Sequence, residues 1–238
     1  MAARLCVFAL VSLIGTMSAT ELRRELIVWN VGQGQWVTFV EGGMCWHVDM
    51  GGEFAPWPEI QHLCRARENV VSLSHWDRDH ISFAGAARTR LPHICLLNRP
   101  EGVSSVNKSR MIDALPHCTF HSPFAQWSDP AGKTANAKSW VVEWHHVLAP
   151  GDSPRGEEAR WIWHLPLDQV TILVLGHHGS RTSTSPELLA HLPALREAVS
   201  SARFRRYGHP HVEVVEELRR AHVPLLRTEE WGTIHFAL

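Results

Sequence analysis

The 238-residue chain predicts an α/β fold, a layered sandwich of sheets and helices. Three observations lead there. Short β-type segments follow one another near the N-terminus, divided by glycine turns. Strands interspersed with helices follow, with no internal repeat and no linker long enough to divide domains. Clusters of polar, ligand-type side chains then recur at the carboxyl ends of apolar strands.

Taken in order, Glu25–Trp29 reads as a strand, the Val31-Gly-Gln-Gly34 turn follows, and Trp36–Val40 reads as a second strand. Cys45–Asp49 is a third and ends at Met50-Gly51-Gly52, so the three suggest an antiparallel meander. Trp57 to Arg67 reads as a helix with a proline near its start, and Asn69 to Leu73 as a strand. Ile81 to Arg88 continues as a helix. Residues 97 to 138 are rich in Pro, Ser, Asn and Lys and read as loops with short strands. Trp140–Leu148 and Val170–Leu175 are further strands. Ser185-Pro186-Glu187 is a helix start, with serine at the cap and proline in the first turn. A strand at Ala198-Val199, a helix from His211 to Ala221 and two final strands complete the chain.

Composition is that of one globular core, 45% hydrophobic and 20% charged. The net charge of −1 excludes a global basic field that would draw the protein to nucleic acid. Contact with a polyanion would need a local patch or bound cations. The compositional oddity is 17 histidines and 11 tryptophans, which matters only if the histidines sit in order.

Residues 1–19 stand apart. Arg4, an apolar run from Leu5 to Ile14 and the small residues Gly15, Thr16, Ser18 and Ala19 form the pattern of a secretory signal peptide. Its apolar part is short for a bilayer span, and cleavage is expected near residues 18–19. The alternative is an ordinary N-terminal hydrophobic helix. Export would leave a hydrolase-type domain at residues 20–238 in the periplasm or outside the cell, with no other stretch apolar enough to span a membrane. It would also place Cys45, Cys64, Cys95 and Cys118 in an oxidising compartment, as up to two disulfides with three possible pairings, or as four buried thiols. No cysteine pair has the close spacing of a zinc–thiolate site.

Four places carry chemistry. The first, in Ser72-Leu-Ser-His-Trp-Asp-Arg-Asp-His80, is His75-x-Asp77-x-Asp79-His80. In an extended segment side chains two apart share a side, so His75 and Asp77 can share an ion. Asp79 and His80 stand where the chain turns into a helix and can reach a second. Imidazole with carboxylate suits zinc, manganese or iron. The other places are Asp152 after Gly151, His177-His178 leading into a Gly-Ser loop, and His209 between Gly208 and Pro210. Each alone has an ordinary reading, as a turn or a solvated histidine.

Together, in this order, the stretches Asn30-Val-Gly-Gln-Gly34, Val48-Asp-Met-Gly-Gly52, Ser74-His-Trp-Asp-Arg-Asp-His80, Gly151-Asp152, His177-His-Gly-Ser180 with Thr184-Ser185, and Tyr207-Gly-His-Pro210 mark a resemblance. The chain from about residue 25 onward resembles the metallo-β-lactamase-fold domain of the ComEC competence proteins. The resemblance implies a four-layer αββα sandwich with two divalent ions, zinc or manganese, between the sheets. It implies His75 and Asp77 on one ion, Asp79, His80 and His177 on the other, and Asp152 bridging. His178 and His209 would either support the ligands from behind or face substrate, where one could protonate a leaving oxygen while Ser180 or Arg181 holds a phosphate oxygen. Asn30 and Gln35 stand where the family has Asp, Pro150 where it has Thr, and Ser82-Phe83 where it has a glycine pair; no proposed ligand is lost.

The function implied is hydrolysis of DNA or another phosphodiester by an activated water, a nuclease serving DNA uptake beside a separate membrane channel. Two alternatives remain open: hydrolysis of a non-nucleic ester, lactone or phosphoester on the same fold, and a non-catalytic DNA-binding component of uptake. The strip Arg203-Phe-Arg-Arg-Tyr207 could contact a phosphate backbone, or be a solvated loop. Trp76 and Arg78 are expected to point away from the ions, toward solvent or the cleft rim.

Overall fold

The computed structural model describes residues 24–238; the segment expected to be a signal peptide, with Cys6, lies outside them. The strands are β1 (Arg24–Val28), β2 (Val37–Glu41), β3 (Met44–Val48), β4 (Glu68–Ser72), β5 (Ile94–Asn98), β6 (Ala125–Trp127), β7 (Val141–Trp144), β8 (Val147–Ala149), β9 (Ile172–Val174), β10 (Glu197–Ser200), β11 (Leu225–Arg227) and β12 (Ile234–Ala237). The helices are α1 (Trp57–Cys64), α2 (Arg78–Ile81), α3 (Ala84–Arg90), α4 (Val106–Ile112), α5 (Arg155–Trp161), α6 (Pro186–Ala190), α7 (Phe204–Tyr207), α8 (Val212–Arg220) and α9 (Thr228–Trp231).

Two six-stranded sheets result, in the orders β12-β1-β2-β3-β4-β5 and β11-β10-β9-β8-β7-β6. In the first, β1, β2 and β3 form the expected antiparallel meander, and β4 and β5 join in parallel. In the second, β8 to β11 run parallel, with β6 and β7 antiparallel at one edge.

Alternation along the strands sorts side chains into three apolar layers. Leu26, Val28, Val37, Phe39, Val48 and Val70 meet Val142, Val147, Val174 and Val199 between the sheets. On the outer face of the first sheet, Ile27, Val40, Cys45 and Val71 pack against Ile60 of α1, Ala84 and Ala87 of α3 and Ile112 of α4. On the outer face of the second, Leu148, Leu173 and Ala198 pack against Trp161 of α5, Leu188 of α6 and Val214 and Leu218 of α8. The arrangement is the four-layer αββα sandwich.

Three local readings differ. The expected strand Trp140–Leu148 is a hairpin, β7 and β8, reversed at His145 and His146, which both hold positive φ (49° and 67°). The loop-like middle contains α4, capped by Ser105, whose side chain accepts from Lys108 N. The α5 helix, unforeseen, follows Pro154. The Ser185 start holds as read: its Oγ accepts from Leu188 N at 3.1 Å. The four cysteines form two bridges, Cys45–Cys64 and Cys95–Cys118.

Candidate metal centre

The chemistry collects at the carboxyl ends of parallel strands from both sheets, where an open α/β sheet offers side chains without losing ladder bonds. The β4 strand delivers His75, Asp77, Asp79 and His80, after a register shift against β5 between Val71 and Ser72 bends the chain out of the sheet. Asp152 follows β8, His177 and His178 follow β9, and His209 lies beyond β10. Glycines let these loops close on one another. A Cβ on Gly51 would lie 2.3 Å from the Asp79 carbonyl carbon, and one on Gly151 (φ 57°) 2.8 Å from Ser74 Cβ.

Asp152 is buried at the centre, and its two oxygens face two groups of ligands. Oδ2 lies 3.6 Å from His75 Nε2 and 3.5 Å from His177 Nε2. Asp77 Oδ2 approaches the same His75 nitrogen at 3.6 Å. On the other side, Oδ1 lies 3.0 Å from His80 Nε2 and 3.9 Å from His178 Nε2, and Asp79 Oδ2 is 3.3 Å from that His178 nitrogen. Groups with converging ligand atoms are His75, His80 and Asp152, and Asp79, His80 and His178. The structure therefore puts His178, not the expected His177, beside Asp79 and His80. His177 stands on the His75 side and is part-exposed, while His178 is buried. The two neighbours diverge because both hold left-handed backbone, φ 50° and 57°.

Asp49, not among the ligands expected from the sequence, sets the histidines' protons. Its carboxylate is fully buried at a positive φ of 60° and accepts from Ser74 N (2.7 Å), Ser74 Oγ (2.8 Å), Gln35 Nε2 (2.9 Å) and His80 Nδ1 (2.7 Å). Because the Ser74 hydroxyl donates to Asp49, it can only accept from His75 Nδ1, 3.0 Å away. His178 Nδ1 donates to the Ser201 carbonyl at 2.9 Å. All three Nδ1 atoms carry the proton, so all three Nε2 lone pairs point inward. His80 Nε2 and His178 Nε2 stand 3.2 Å apart, and two lone pairs at that distance repel unless a cation or proton lies between them. His75 Nε2 and Asp152 Oδ1 are buried with no hydrogen-bond partner among the described residues.

The electrostatics agree. Burial opposes a charge on His80, yet the Asp152 and Asp49 carboxylates overcome it and hold the imidazole well above its ordinary pKa. Burial likewise opposes ionisation of Asp152, and His80, His178 and His75 overcome it, holding the carboxyl well below its usual range. The same balance, through His178 and His80, lowers Asp79. A pocket whose carboxylates hold a fully buried His80 so far above its ordinary range is built for positive charge. Nitrogen and carboxylate donors without thiolate suit zinc or manganese, so the residues fit divalent metal.

A cleft of about 490 Å³ opens over this centre, lined by Asp77, Asp79, Asp152, His177, His178 and His209 among others. Ser180, the expected phosphate contact, also lines it, but its Oγ is engaged with Thr182 Oγ1 at 3.0 Å. Burial pushes the His209 imidazole down to about 4, and its Nδ1 has no partner among the described residues. His211 and Tyr207 border the same space, with rings 4.7 and 5.9 Å from that of His209. Lys108 of α4 reaches Asp77 Oδ1 at 3.3 Å, a contact the sequence did not announce. Trp76 turns away from the centre, but into the protein rather than to solvent: it is buried and donates to the Gly102 carbonyl. Arg78 is exposed as expected.

No protein-family profile matches the chain. It is 43% identical over 237 residues to "Competence protein ComA" of Neisseria gonorrhoeae, covering 92% of this chain and 33% of that protein. It is 27% identical over 234 residues to "ComE operon protein 3" of Bacillus subtilis, covering 79% and 29%. It is 29% identical over 223 residues to "Recombination protein 2" of Haemophilus influenzae, covering 87% and 26%. The chain thus spans between a quarter and a third of the length of these relatives. Among solved structures it superposes on the metallo-β-lactamase fold protein YhfI of Bacillus subtilis with a TM-score of 0.55 at 10% identity, covering 91% of this chain and 100% of that one. A diphosphatase of the PhnP family gives 0.53 at 12%, covering 91% and 99%. Sandwich and superpositions agree on the architecture, and the sequence matches agree on the relatives: this is a metallo-β-lactamase-fold chain similar to part of the competence proteins.

Proposed function

We propose that the chain is an exported, metal-dependent phosphodiesterase that cuts DNA, working beside a separate membrane channel for DNA uptake. One observation carries the reading: Asp152 turns its two oxygens to two separate sets of ligands. A carboxylate so placed could serve two ions, which would be held by His75, Asp77 and His177 on one side and by Asp79, His80 and His178 on the other. Bound there, divalent metal would supply Lewis-acid polarisation of a phosphoryl oxygen and a water acidic enough to attack at neutral pH.

The remaining work falls to the chain. Asp49 and the Ser201 carbonyl keep the imidazole lone pairs aimed inward. His209 lines the cleft as a neutral imidazole, placed to hydrogen-bond a substrate oxygen rather than to protonate it. Arg181, on the same wall, is placed to hold a non-reacting phosphate oxygen. Ser180 reaches a phosphate only by giving up Thr182. The relatives' names speak of competence and recombination, which favours DNA over a lactam or lactone as substrate. Two disulfides fit an oxidising compartment and so favour export.

The test is cleavage of single- and double-stranded DNA by protein stripped with chelator and reloaded with manganese, zinc or magnesium. Cleavage should return with manganese or zinc. Asp152→Ala should lose bound metal and hydrolysis together. Absence of cleavage with every metal sinks the reading, and an active Asp152→Ala sinks the bridging role.

A further inference from the structure

Beside the metal cleft lies a second cavity of about 410 Å³, which shares Gln33, Asp79 and Tyr207 with it. Tyr207 is therefore the wall between the two. It is the only tyrosine of the chain, and it ends α7, a single helical turn that begins at Phe204. At a spacing of three residues the two rings come up on one side of the turn. Both are exposed, Phe204 at 55% and Tyr207 at 56%.

Exposed rings on a loose loop would mean little, but α7 is fastened down. Phe204 N donates to Glu229 Oε2 at 2.8 Å, and Arg203 N donates to Gln33 Oε1 at 3.2 Å. Glu53 takes Arg203 Nη1 at 3.1 Å and Arg206 Nη1 at 3.7 Å. The turn thus holds two exposed aromatic rings at the edge of the site, with the Arg206 guanidinium 5.7 Å over the Tyr207 ring. Around them stand cations: Arg206 and Arg78 line the second cavity, and Arg78 and Arg205 have no carboxylate partner among the described residues. The metal cleft itself is lined by Asp77, Asp79 and Asp152. The second cavity sets Arg78 and Arg206 beside the rings against Glu53 and Asp79, and Arg78 is the cation there that no carboxylate engages among the described residues.

We propose that α7 and the cavity beside Asp79 form a nucleotide subsite, in which an unpaired base stacks on Tyr207 while Arg78 and Arg206 hold the adjoining phosphate. Aromatic faces interleaved with arginines are the recurrent means of holding single-stranded nucleic acid, because every base has a π-face and every linkage a charge. A duplex keeps its bases stacked on one another and can offer this surface only phosphates. The subsite therefore selects unpaired strand, DNA or RNA, next to the bond to be cut. The inference rests on the phosphodiesterase reading for its placement, and its test is kept separate from that reading.

Binding is measured by fluorescence anisotropy on the manganese-loaded full chain, with nuclease-resistant phosphorothioate 15-mers: dT, rU, a wholly abasic strand and a duplex. Wild type should bind dT or rU about tenfold more tightly than the abasic strand, and the two arms show which sugar is accepted. Tyr207→Ala should erase that difference, and Tyr207→Phe should keep it. Arg206→Gln should weaken all strands alike and lower the salt slope by about one. Equal affinity for the base-bearing and abasic strands, or a base preference that survives in Tyr207→Ala, would overturn the subsite. Base-dependent binding without cleavage of ordinary DNA would sink the phosphodiesterase reading and leave the subsite standing. Cleavage without base-dependent binding would sink the subsite alone.

Discussion

Among single residues, Asp49 repays the closest look, because it never touches the space where metal would sit. It holds His80 directly and His75 through the Ser74 hydroxyl, and its own backbone is kept at a positive φ that costs an aspartate little but is still uncommon. Asp49→Asn keeps the size and turns an acceptor into a donor, so one of the four donors facing it meets an N–H. Metal affinity is expected to fall about 10- to 100-fold, as for other partners that orient a ligating histidine. Metal content by mass spectrometry against a chelator series checks this, and unchanged affinity would remove Asp49 from the site. Its signal was present in the sequence, an acid ending an apolar strand just before Gly51-Gly52, but nothing local marks it as reaching a motif 25 to 31 residues away. The exchange of His177 and His178 was not legible either. Which of two adjacent imidazoles turns inward is set by two left-handed backbone positions, and histidine does not advertise that conformation as glycine does.

At the level of elements, the legible parts were those with a period or a punctuation mark. The glycine-divided meander, the Ser185 cap and the helix from residue 211 (α8, Val212–Arg220) were all readable. The β7–β8 hairpin was not, because its two-residue reversal uses His145-His146 where Asn-Gly would announce it. The first sheet holds a feature that no strand shows alone. Thr38 of β2 and His47 of β3 are cross-strand partners, and Asn69 of β4, opposite Cys45, shares their face, all buried beneath the helices. Trp36 Nε1 can only donate, so His47 Nδ1 accepts from it at 3.2 Å and the proton sits on Nε2, facing Asn69 Oδ1 at 3.1 Å. Burial pushes this imidazole down to about 4. The unfolded chain, with an ordinary histidine near 6.5, takes up the proton first. Stability from this group is therefore complete above that pH and is lost as pH falls from 6.5 toward 4. At pH 5 the loss is roughly 2 kcal/mol. Urea midpoints at pH 7 and pH 5 should separate by about that much more in wild type than in His47→Gln, and parallel profiles would refute the assignment.

Over the whole molecule, the two sheets are fastened differently. Both disulfides lie in the first half: Cys45–Cys64 ties β3 to the end of α1, and Cys95–Cys118 ties β5 to the segment after α4. The strand between β3 and β5 is β4, whose end carries His75, Asp77, Asp79 and His80. The second half, which brings Asp152, His177 and His178, holds no bridge. Four cysteines allowed three pairings, and only the assembled sheet puts Cys45 beside Cys64, so the pairing could not be read from spacing. With separations of 19 and 23 residues, each bridge should contribute about 3 kcal/mol by limiting the unfolded chain. Reduction of both should lower Tm by roughly 10 °C or more for a domain of this size. Because β3 and β5 hold β4 from either side, reduction should also weaken metal binding, and added metal should recover part of the lost Tm by binding the folded state alone. Calorimetry with and without reductant, each with and without manganese, reads both effects. An unchanged Tm on full reduction would mean the bridges stabilise nothing. A lowered Tm with undiminished metal affinity would mean the centre is held by the contacts of Asp49, Ser74 and Asp152 rather than by the stapled sheet beneath it.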